Sequence, residues 1–149
     1  MSRDEAWQVL SGAHTGILTT LRRDGVPVTL PVWFVVIDRR IYVSGPAQTK
    51  KFGRIQRDPR VSFLVESGSR WAELCGVQAT GRATIVDDPA KLEQVREAMH
   101  EKYHRYRTDR AAMPEATRAH YDTGVTTIEI VPDERLLNWD NARLGIDCP

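Results

Sequence analysis

Short apolar segments separated by tight-turn residues constrain the fold of this chain more than any other feature of its sequence. The segments Thr15–Leu21 and Val26–Ile37 flank Asp24-Gly25, a dipeptide typical of tight hairpin turns. A polar turn at residues 38–40 then leads into a third apolar segment, Ile41–Ser44. Connections this short join antiparallel neighbours, because parallel strands need a long crossover. The sequence therefore predicts a β-meander between residues 15 and 44.

The rest of the chain adds further strands and three main helices. Two prolines within Val26–Ile37 place part of that strand at a sheet edge or a bulge. Gly76 and Gly81 indicate bends in a later strand region. The further predicted strands are Val61–Val65, Trp71–Val86, Val125–Val131 and Leu136–Trp139. The predicted helices are Arg3–Leu10, a short basic helix between Thr49 and Asp58, and Ala90–Tyr106, with a loop and a short helix over Arg107–Tyr121.

These elements predict a mainly β (α+β) fold. We expect a small closed or split antiparallel β-barrel of six or seven strands, with an N-terminal helix, a short basic helix and a longer inserted helix. The whole sequence, residues 1–149, has the length of one domain with a real core.

The charge of the chain is nearly balanced. It has 21 Lys and Arg against 20 Asp and Glu, so the formal net charge is +1 and no overall field attracts nucleic acid or an anionic membrane. No apolar run approaches the roughly 20 residues of a membrane-spanning helix, and the polar start is unlike a signal peptide. The two cysteines, Cys75 and Cys148, suggest neither a disulfide framework nor a metal cluster. We expect a cytoplasmic protein without nucleic-acid or membrane partners.

The stretch Val43–Val65 combines a strand, a small-residue turn and the short basic helix. Thr49, Lys50 and Lys51 stand at the predicted start of that helix, and Arg54 follows one turn later. Helix N-termini carry unpaired N–H groups and a partial positive charge, so they attract anions. This stretch is either a phosphate-binding site or a solvated basic helix.

A His-Glu-x-x-His motif occurs at His100-Glu101 and His104 within the third helix. This spacing places two ligands of a zinc hydrolase on one helix face. The neighbouring residues Lys102, Arg105 and Arg107 are cationic, however, and oppose a divalent metal. We therefore interpret the motif as a solvated helix end and predict no metal site.

Aromatic and thiol side chains give weaker signals. Trp33, Trp71 and Trp139 are expected to fill the core, although aromatic rings near a phosphate-binding site also suit a flat heteroaromatic cofactor. Cys75 is interpreted as a buried structural thiol because no base lies near it in sequence.

Several short motifs follow one another between residues 16 and 81. They are Gly16-Ile17-Leu18-Thr19-Thr20, Gly25-Val26-Pro27, Pro31-Val32-Trp33-Phe34, Val43-Ser44, Thr49-Lys50-Lys51, Arg57-Asp58-Pro59-Arg60-Val61 and Gly76-Val77-Gln78-Ala79-Thr80-Gly81. Their order and spacing resemble the pyridoxamine-5′-phosphate-oxidase-like split β-barrel family, and within it the flavin/deazaflavin oxidoreductases, which often bind coenzyme F-420.

The resemblance implies the split form of the barrel and a homodimer with two cofactor sites at the subunit interface. Thr49, Lys50 and Lys51 would hold the cofactor phosphate, with Arg54 nearby. The residues that would line the ring system are Val28, Leu30, Pro31 and Val32 of one strand and Val43, Ser44 and Gly45 of another. Trp71, Gln78 and Trp139 would come from the partner subunit.

The chain departs from true pyridoxamine-phosphate oxidases near its C-terminal end. Trp139 is followed by Arg143-Leu144-Gly145-Ile146-Asp147, which keeps an Arg-Leu pair but lacks the His and second Arg of the substrate-binding motif. This departure argues against a vitamin-B6 oxidase.

The functions that stay open are an F-420-dependent oxidoreductase acting on a small organic molecule, an FMN-dependent oxidoreductase, a non-catalytic flavin, deazaflavin or haem-binding protein, and the zinc hydrolase. No catalytic residue is assigned, because the cofactor itself carries the redox step. Solvent or Tyr121 could supply a proton to the substrate.

Overall fold

Seven strands form one curled antiparallel sheet in the computed structural model, which describes residues 1–145. The strands are β1 Gly16–Leu21, β2 Pro27–Val32, β3 Val35–Ile37, β4 Arg40–Pro46, β5 Arg60–Ser67, β6 Cys75–Ile85 and β7 Val125–Asp140. The helices are α1 Arg3–Gly12, α2 Lys50–Arg57, α3 Pro89–Tyr103 and α4 Glu115–Tyr121. The strand order is β2-β1-β5-β6-β7-β4-β3. The predicted mainly β split barrel with an N-terminal, a short basic and an inserted helix is confirmed.

Alternation of buried and outward residues fixes the inner face of the sheet. In β5, Val61, Phe63 and Val65 are buried, whereas Ser62 and Leu64 between them are only partly covered. A two-residue period of this kind is the pattern of a strand with one face on a core. Helix α1 closes one end of the barrel with its buried residues Ala6, Trp7 and Leu10. Its start is stabilised by a capping box, in which Ser2 and Glu5 bond each other's backbone N–H groups.

The predicted single strand Val26–Ile37 is two strands, β2 and β3, with a corner at Trp33-Phe34 between them. The Tyr103 hydroxyl holds this corner. It accepts a hydrogen bond from the Phe34 N–H at 3.0 Å and lies 2.8 Å from the Phe34 carbonyl oxygen and 2.7 Å from that of His14. The corner arises from a residue almost 70 positions away, so the prolines alone could not locate it.

Two other predicted boundaries are wrong. Trp71 does not begin a strand, because Trp71–Glu73 forms a short 3-10 turn and β6 starts at Cys75. The predicted strands Val125–Val131 and Leu136–Trp139 are one continuous strand, β7. Its residues 133–135 bulge opposite Thr80, whose hydroxyl donates to Asp133 at 2.7 Å.

The third predicted helix ends earlier than expected, since α3 stops at Tyr103 and a 3-10 turn covers residues 104–106. The side of α3 that packs against the sheet carries Val95, Met99 and Tyr103, which form a cluster with Val35 and Tyr42. No helix among the described residues is long and apolar enough to cross a membrane.

Lys102 lies against the corner that Tyr103 holds. Its ammonium donates to the Phe34 carbonyl oxygen at 3.1 Å and lies 4.1 Å from the centroid of the Phe34 ring. Burial lowers the pKa of Lys102 from its ordinary value of 10.5 to about 8. Between these two values the unfolded chain keeps the proton that the folded chain has lost, so the contribution of Lys102 to stability rises with pH.

We expect Lys102→Met to remove this pH dependence. The free energy of unfolding of the wild type, relative to that of the variant, should then be larger at pH 9.5 than at pH 7. Urea denaturation of both proteins at the two pH values measures the difference. Equal differences at both pH values would contradict the assignment.

Candidate functional site

Helix α2 lies across one end of the barrel. Its apolar side chains pack into the core, and its arginines bond the end of β1. Its Phe52 and Ile55 are buried in the core. Arg54 Nε donates to the Thr20 hydroxyl at 2.8 Å, and the Arg57 guanidinium donates to the Leu21 carbonyl oxygen at 2.7 Å. These contacts with the end of β1 fix the start of α2 beside the last residues of β4.

The N-terminus of α2 has no side-chain cap. The hydroxyl of Thr49, the residue before the helix, donates to the Pro46 carbonyl oxygen at 2.7 Å and accepts no N–H from the first turn. The first N–H groups of a helix have no intrahelical acceptor. At α2 the Phe52 N–H bonds the Thr49 carbonyl oxygen at 3.1 Å, which leaves the N–H groups of Lys50 and Lys51 at the helix start, where the Lys50 side chain is exposed.

Lys51 is the half-buried cation of this site. Its ammonium lies 5.1 Å from the centroid of the Phe52 ring and would be 3.0 Å from a Cβ at Gly45. Among residues 1–145, no carboxylate comes within 4.0 Å of it. Burial lowers the pKa of Lys51, and the nearby Arg54 charge adds to this effect. A partly desolvated cation without a counter-ion favours an anionic ligand.

A groove of about 330 Å³ opens on the other side of the α2 start. Its walls are Ala47, Gln48, Thr49, Lys50, Phe52, Gly53, Gln56, Ile85 and Thr126. The groove shares Phe52 with the surroundings of Lys51. Lys51 itself does not line the groove, whereas its chain neighbours Thr49 and Lys50 do.

The register of β1 and β2 brings part of the predicted ring-lining strand to the same site. Thr20, which Arg54 contacts, pairs with Val28, and Leu18 pairs with Leu30. Val28 is partly exposed and Leu30 is 39% exposed. Pro31 is exposed on the opposite face of the strand, and Val32 is buried. Leu30 thus offers an apolar surface on the same side of β2 as Val28.

The predicted residues of β4 contribute in different ways. Val43 is fully buried in the core, so it presents no surface to a ligand and lies behind the site instead of lining it, contrary to the prediction. The Ser44 hydroxyl lies 2.8 Å from the Thr127 hydroxyl. Gly45 gives Lys51 its close approach, since a side chain at this position would displace the ammonium.

Gln78, Trp139 and Trp71 lie apart from Lys51 within one chain. Gln78 is on the outer face of the sheet, between buried Val77 and Ala79, and donates to the Ser62 hydroxyl at 2.8 Å. Trp139 covers Gly76 on the adjacent strand, where a Cβ would lie 2.3 Å from the indole. Trp71 is 55% exposed.

The tryptophans differ from the expectation of core filling. Trp71 is not in the core, and Trp33 is partly exposed and stacks on Tyr103 with ring centroids 4.5 Å apart. Trp7 is the tryptophan that packs into the main core. Cys75 is half-buried rather than fully buried, and burial raises the pKa of its thiol.

Arg143, the arginine of the Arg-Leu pair near the C-terminal end, forms ion pairs within the chain. The Arg143 guanidinium donates to Glu5 at 2.8 Å and to Asp140 at 2.7 Å. Leu144 is 57% exposed. Ile146, Asp147 and Cys148 lie outside the described residues. A guanidinium held by two carboxylates is poorly placed to bind a substrate phosphate.

The His-Glu-x-x-His segment lies at the exposed end of α3. The His100 and His104 rings stack with centroids 5.4 Å apart, and His104 Nδ1 lies 3.1 Å from the His100 carbonyl oxygen. No group of three or more His, Cys, Asp or Glu side chains within residues 1–145 is arranged to hold a metal ion.

A curled seven-stranded antiparallel sheet with this strand order is the architecture of the split β-barrel class. The family model of pyridoxamine 5'-phosphate oxidase matches residues 2–136, and the chain belongs to this family. The family resemblance inferred from the sequence motifs is therefore confirmed.

Solved structures show the same architecture. The chain is 32% identical to a conserved hypothetical protein, Rv2991, from Mycobacterium tuberculosis, over 100% of this chain and 91% of that chain, with a TM-score of 0.83. An FAD-binding protein from Mesorhizobium loti shares 21% identity over 93% and 94% of the two chains, with a TM-score of 0.70. HutZ, the haem storage protein from Vibrio cholerae, shares 16% identity over 91% and 92%, with a TM-score of 0.68. Because their identities to this chain are only 21% and 16%, the last two structures show that the fold is shared and no more.

Proposed function

We propose that this protein is an oxidoreductase that uses a flavin-type cofactor, namely coenzyme F-420, to transfer a hydride to or from a small organic substrate. FMN is the alternative cofactor. When bound, the cofactor supplies the redox chemistry, and the protein supplies binding, orientation and electrostatics.

The unpaired Lys51 ammonium is the observation that carries this proposal. It is half-buried, has no carboxylate within 4.0 Å among the described residues, and stands at an uncapped helix start. A phosphate would accept hydrogen bonds from Lys51 and from the first N–H groups of α2. Lys50 and Thr49 are close enough in the chain to add to the binding.

The groove beside Thr49 and Lys50 favours F-420 over FMN. FMN ends in a phosphate monoester, whereas F-420 continues beyond its phosphate as a diester. A volume of about 330 Å³ at this place gives room for a group esterified to the phosphate. The lining amides of Gln48 and Gln56 can hydrogen-bond such a polar substituent.

The ring system would lie along β2 and β4. Leu30, which is 39% exposed, would offer an apolar contact, and Pro31, Val32 and Ser44 would offer backbone groups. No protein acid or base is required for hydride transfer, and solvent or Tyr121, which is 46% exposed, would protonate the substrate.

A second copy of the chain would complete the site. Side chains on the outer face of the sheet form a row across five strands that is apolar except for Gln78; register aligns Pro31, Ile17, Leu64, Gln78 and Leu137. Leu137 is 53% exposed in one chain. Burial of this row in a homodimer would bring Gln78, Trp139 and Trp71 of one subunit towards the Lys51 of the other.

Cofactor titration tests the proposal. We expect protein purified without added cofactor to be colourless and to bind F-420 with micromolar affinity, measured by the change in F-420 fluorescence. FMN should bind more weakly under the same conditions. Yellow protein as isolated would instead identify FMN as the cofactor, and binding of haem alone would indicate a carrier. If neither F-420 nor FMN binds, the phosphate site does not exist.

A further inference from the structure

The strands β1 and β5 separate at the end of the barrel opposite α2. They pair only from Ile17 to Thr19 against Leu64 to Ser62, whereas β5 stays paired with β6 as far as Ser67. The Phe63 ring occupies the space beside Gly16, where a Cβ would lie 2.1 Å from it. The last residues of β5 therefore have no backbone partner on the side of the start of β1, and the Phe63 ring covers the core there.

A cavity of about 490 Å³ lies where these strands separate. It is lined by Val9, Gly12, Ala13, His14 and Thr15 from the end of α1 and the start of β1, and by Val65, Glu66 and Ser67 from β5. This volume is within the range that small-molecule sites occupy, roughly 300–1,000 Å³. The lining combines apolar side chains with a few polar groups, as such sites do.

Two independent sources of negative charge border the cavity: the exposed Glu66 and the end of α1. Glu66 has no cationic partner within 4.0 Å among the described residues. The other source is the C-terminal end of α1, whose last carbonyl groups lack intrahelical partners and carry partial negative charge. The last turn of this ten-residue helix contains no basic residue to offset that charge.

Aromatic rings adjoin the cavity on the side of His14. The His14 ring makes edge contacts with Tyr106 at 4.5 Å and Tyr103 at 5.3 Å between centroids, and with Trp33 at 6.2 Å. Trp33 is 37% exposed. Aromatic faces attract flat and cationic groups.

Within one chain, the cavity is separate from the Lys51 site. Thr15 lines the cavity, whereas Thr20 contacts Arg54 beside α2. Five residues of extended strand span about 17 Å. The two sites also differ in charge, because one presents cations and the other presents a carboxylate and carbonyl groups.

We propose that this cavity binds a flat organic cation whose N–H groups donate to Glu66 and to the end of α1. Ser67 and Thr15 add hydroxyl groups that accept or donate further hydrogen bonds. The proposal does not depend on the cofactor assigned to the Lys51 site, and it can be tested on protein without cofactor.

Benzamidine is a suitable probe, with benzoate as its anionic counterpart of the same shape. At pH 8, ligand-observed NMR should show saturable binding of benzamidine and none of benzoate. The variant Glu66→Gln should bind benzamidine about tenfold more weakly, the lower limit for loss of a hydrogen bond to a charged group. Glu134→Gln, which removes an exposed carboxylate from β7, is the matched control and should bind as the wild type does.

A second variant fills the cavity without removing a charge. Gly12 lines the cavity and a Cβ there would meet no atom within 4 Å, so we expect Gly12→Leu to fold and to reduce the space for the ligand. We expect it to abolish benzamidine binding while the thermal unfolding midpoint stays near that of the wild type. The proposal is overturned by equal binding of benzoate, by unchanged binding in Glu66→Gln, or by displacement of benzamidine with F-420. If Gly12→Leu lowers the unfolding midpoint, the Glu66→Gln result decides.

Discussion

A Lys51→Ala variant is expected to bind coenzyme F-420 more weakly by about 1.5–3 kcal/mol, roughly 10- to 150-fold. The reason is the half-buried position of the ammonium, which strengthens its contact with a phosphate compared with a fully hydrated lysine. Fluorescence titration of wild type and variant under identical buffer conditions measures the effect. The affinity of the wild type should also fall as salt concentration rises, because part of the attraction is between charges.

Two further lysine variants test whether the loss of F-420 binding is specific to Lys51. Lys50→Ala removes an exposed charge at the same helix start and should cost less than Lys51→Ala. Lys91→Ala removes a lysine of α3 that donates to Gln94 at 2.7 Å, and it should leave F-420 binding unchanged. Unaltered affinity in Lys51→Ala would rule out the phosphate assignment, even if the fold binds the cofactor elsewhere.

Phe63→Ala is expected to lower the free energy of unfolding by about 3–5 kcal/mol. The Phe63 side chain is fully buried, meets the Phe34 ring edge-to-face at 4.8 Å, and fills the space above Gly16. Its removal leaves a cavity that rigid strands on both sides cannot close. Urea denaturation at pH 7 gives the change in midpoint and slope from which the free energy is obtained.

Tyr106→Ala is the matched control for this truncation. Tyr106 is also aromatic but is 61% exposed, so the variant should lose less than about 1 kcal/mol. Similar losses in the two variants would show that Phe63 does not have the core role assigned to it.

The parts of the fold that follow from local pattern could be predicted from the sequence. Asp24-Gly25 locates the first hairpin, and alternation in residues 61–65 identifies β5 and its buried face. The errors lie where distant residues determine the backbone. The corner at Trp33-Phe34 depends on the hydroxyl of Tyr103, and the bulge of β7 depends on Thr80 and the close approach of Gly81 to Val131.

The candidate site could also be predicted only where it depends on local sequence. Thr49, Lys50 and Lys51 stand next to each other in the chain, so a helix-start site could be predicted from local sequence. The approach of Lys51 to Gly45 and the contact of Arg54 with Thr20 depend on how α2 lies against β4 and β1, and no sequence signal indicated that Thr20 would contact this helix. The cavity between β1 and β5 was not predicted. It depends on where the pairing of these two strands stops, and the sequence indicates the strands but not the extent of their pairing.

The position of β7 between β6 and β4 has a consequence for folding during synthesis. This strand is the last of the seven to be made, yet it pairs with β4 over residues 125–130 and with β6 over residues 128–140 apart from the bulge at 133–135. Until residues 125–140 leave the ribosome, β4 and β6 both present long unpaired edges. We expect the barrel to form only after this strand emerges, with slow folding typical of non-local strand pairing, and the nascent chain to depend on chaperones until then.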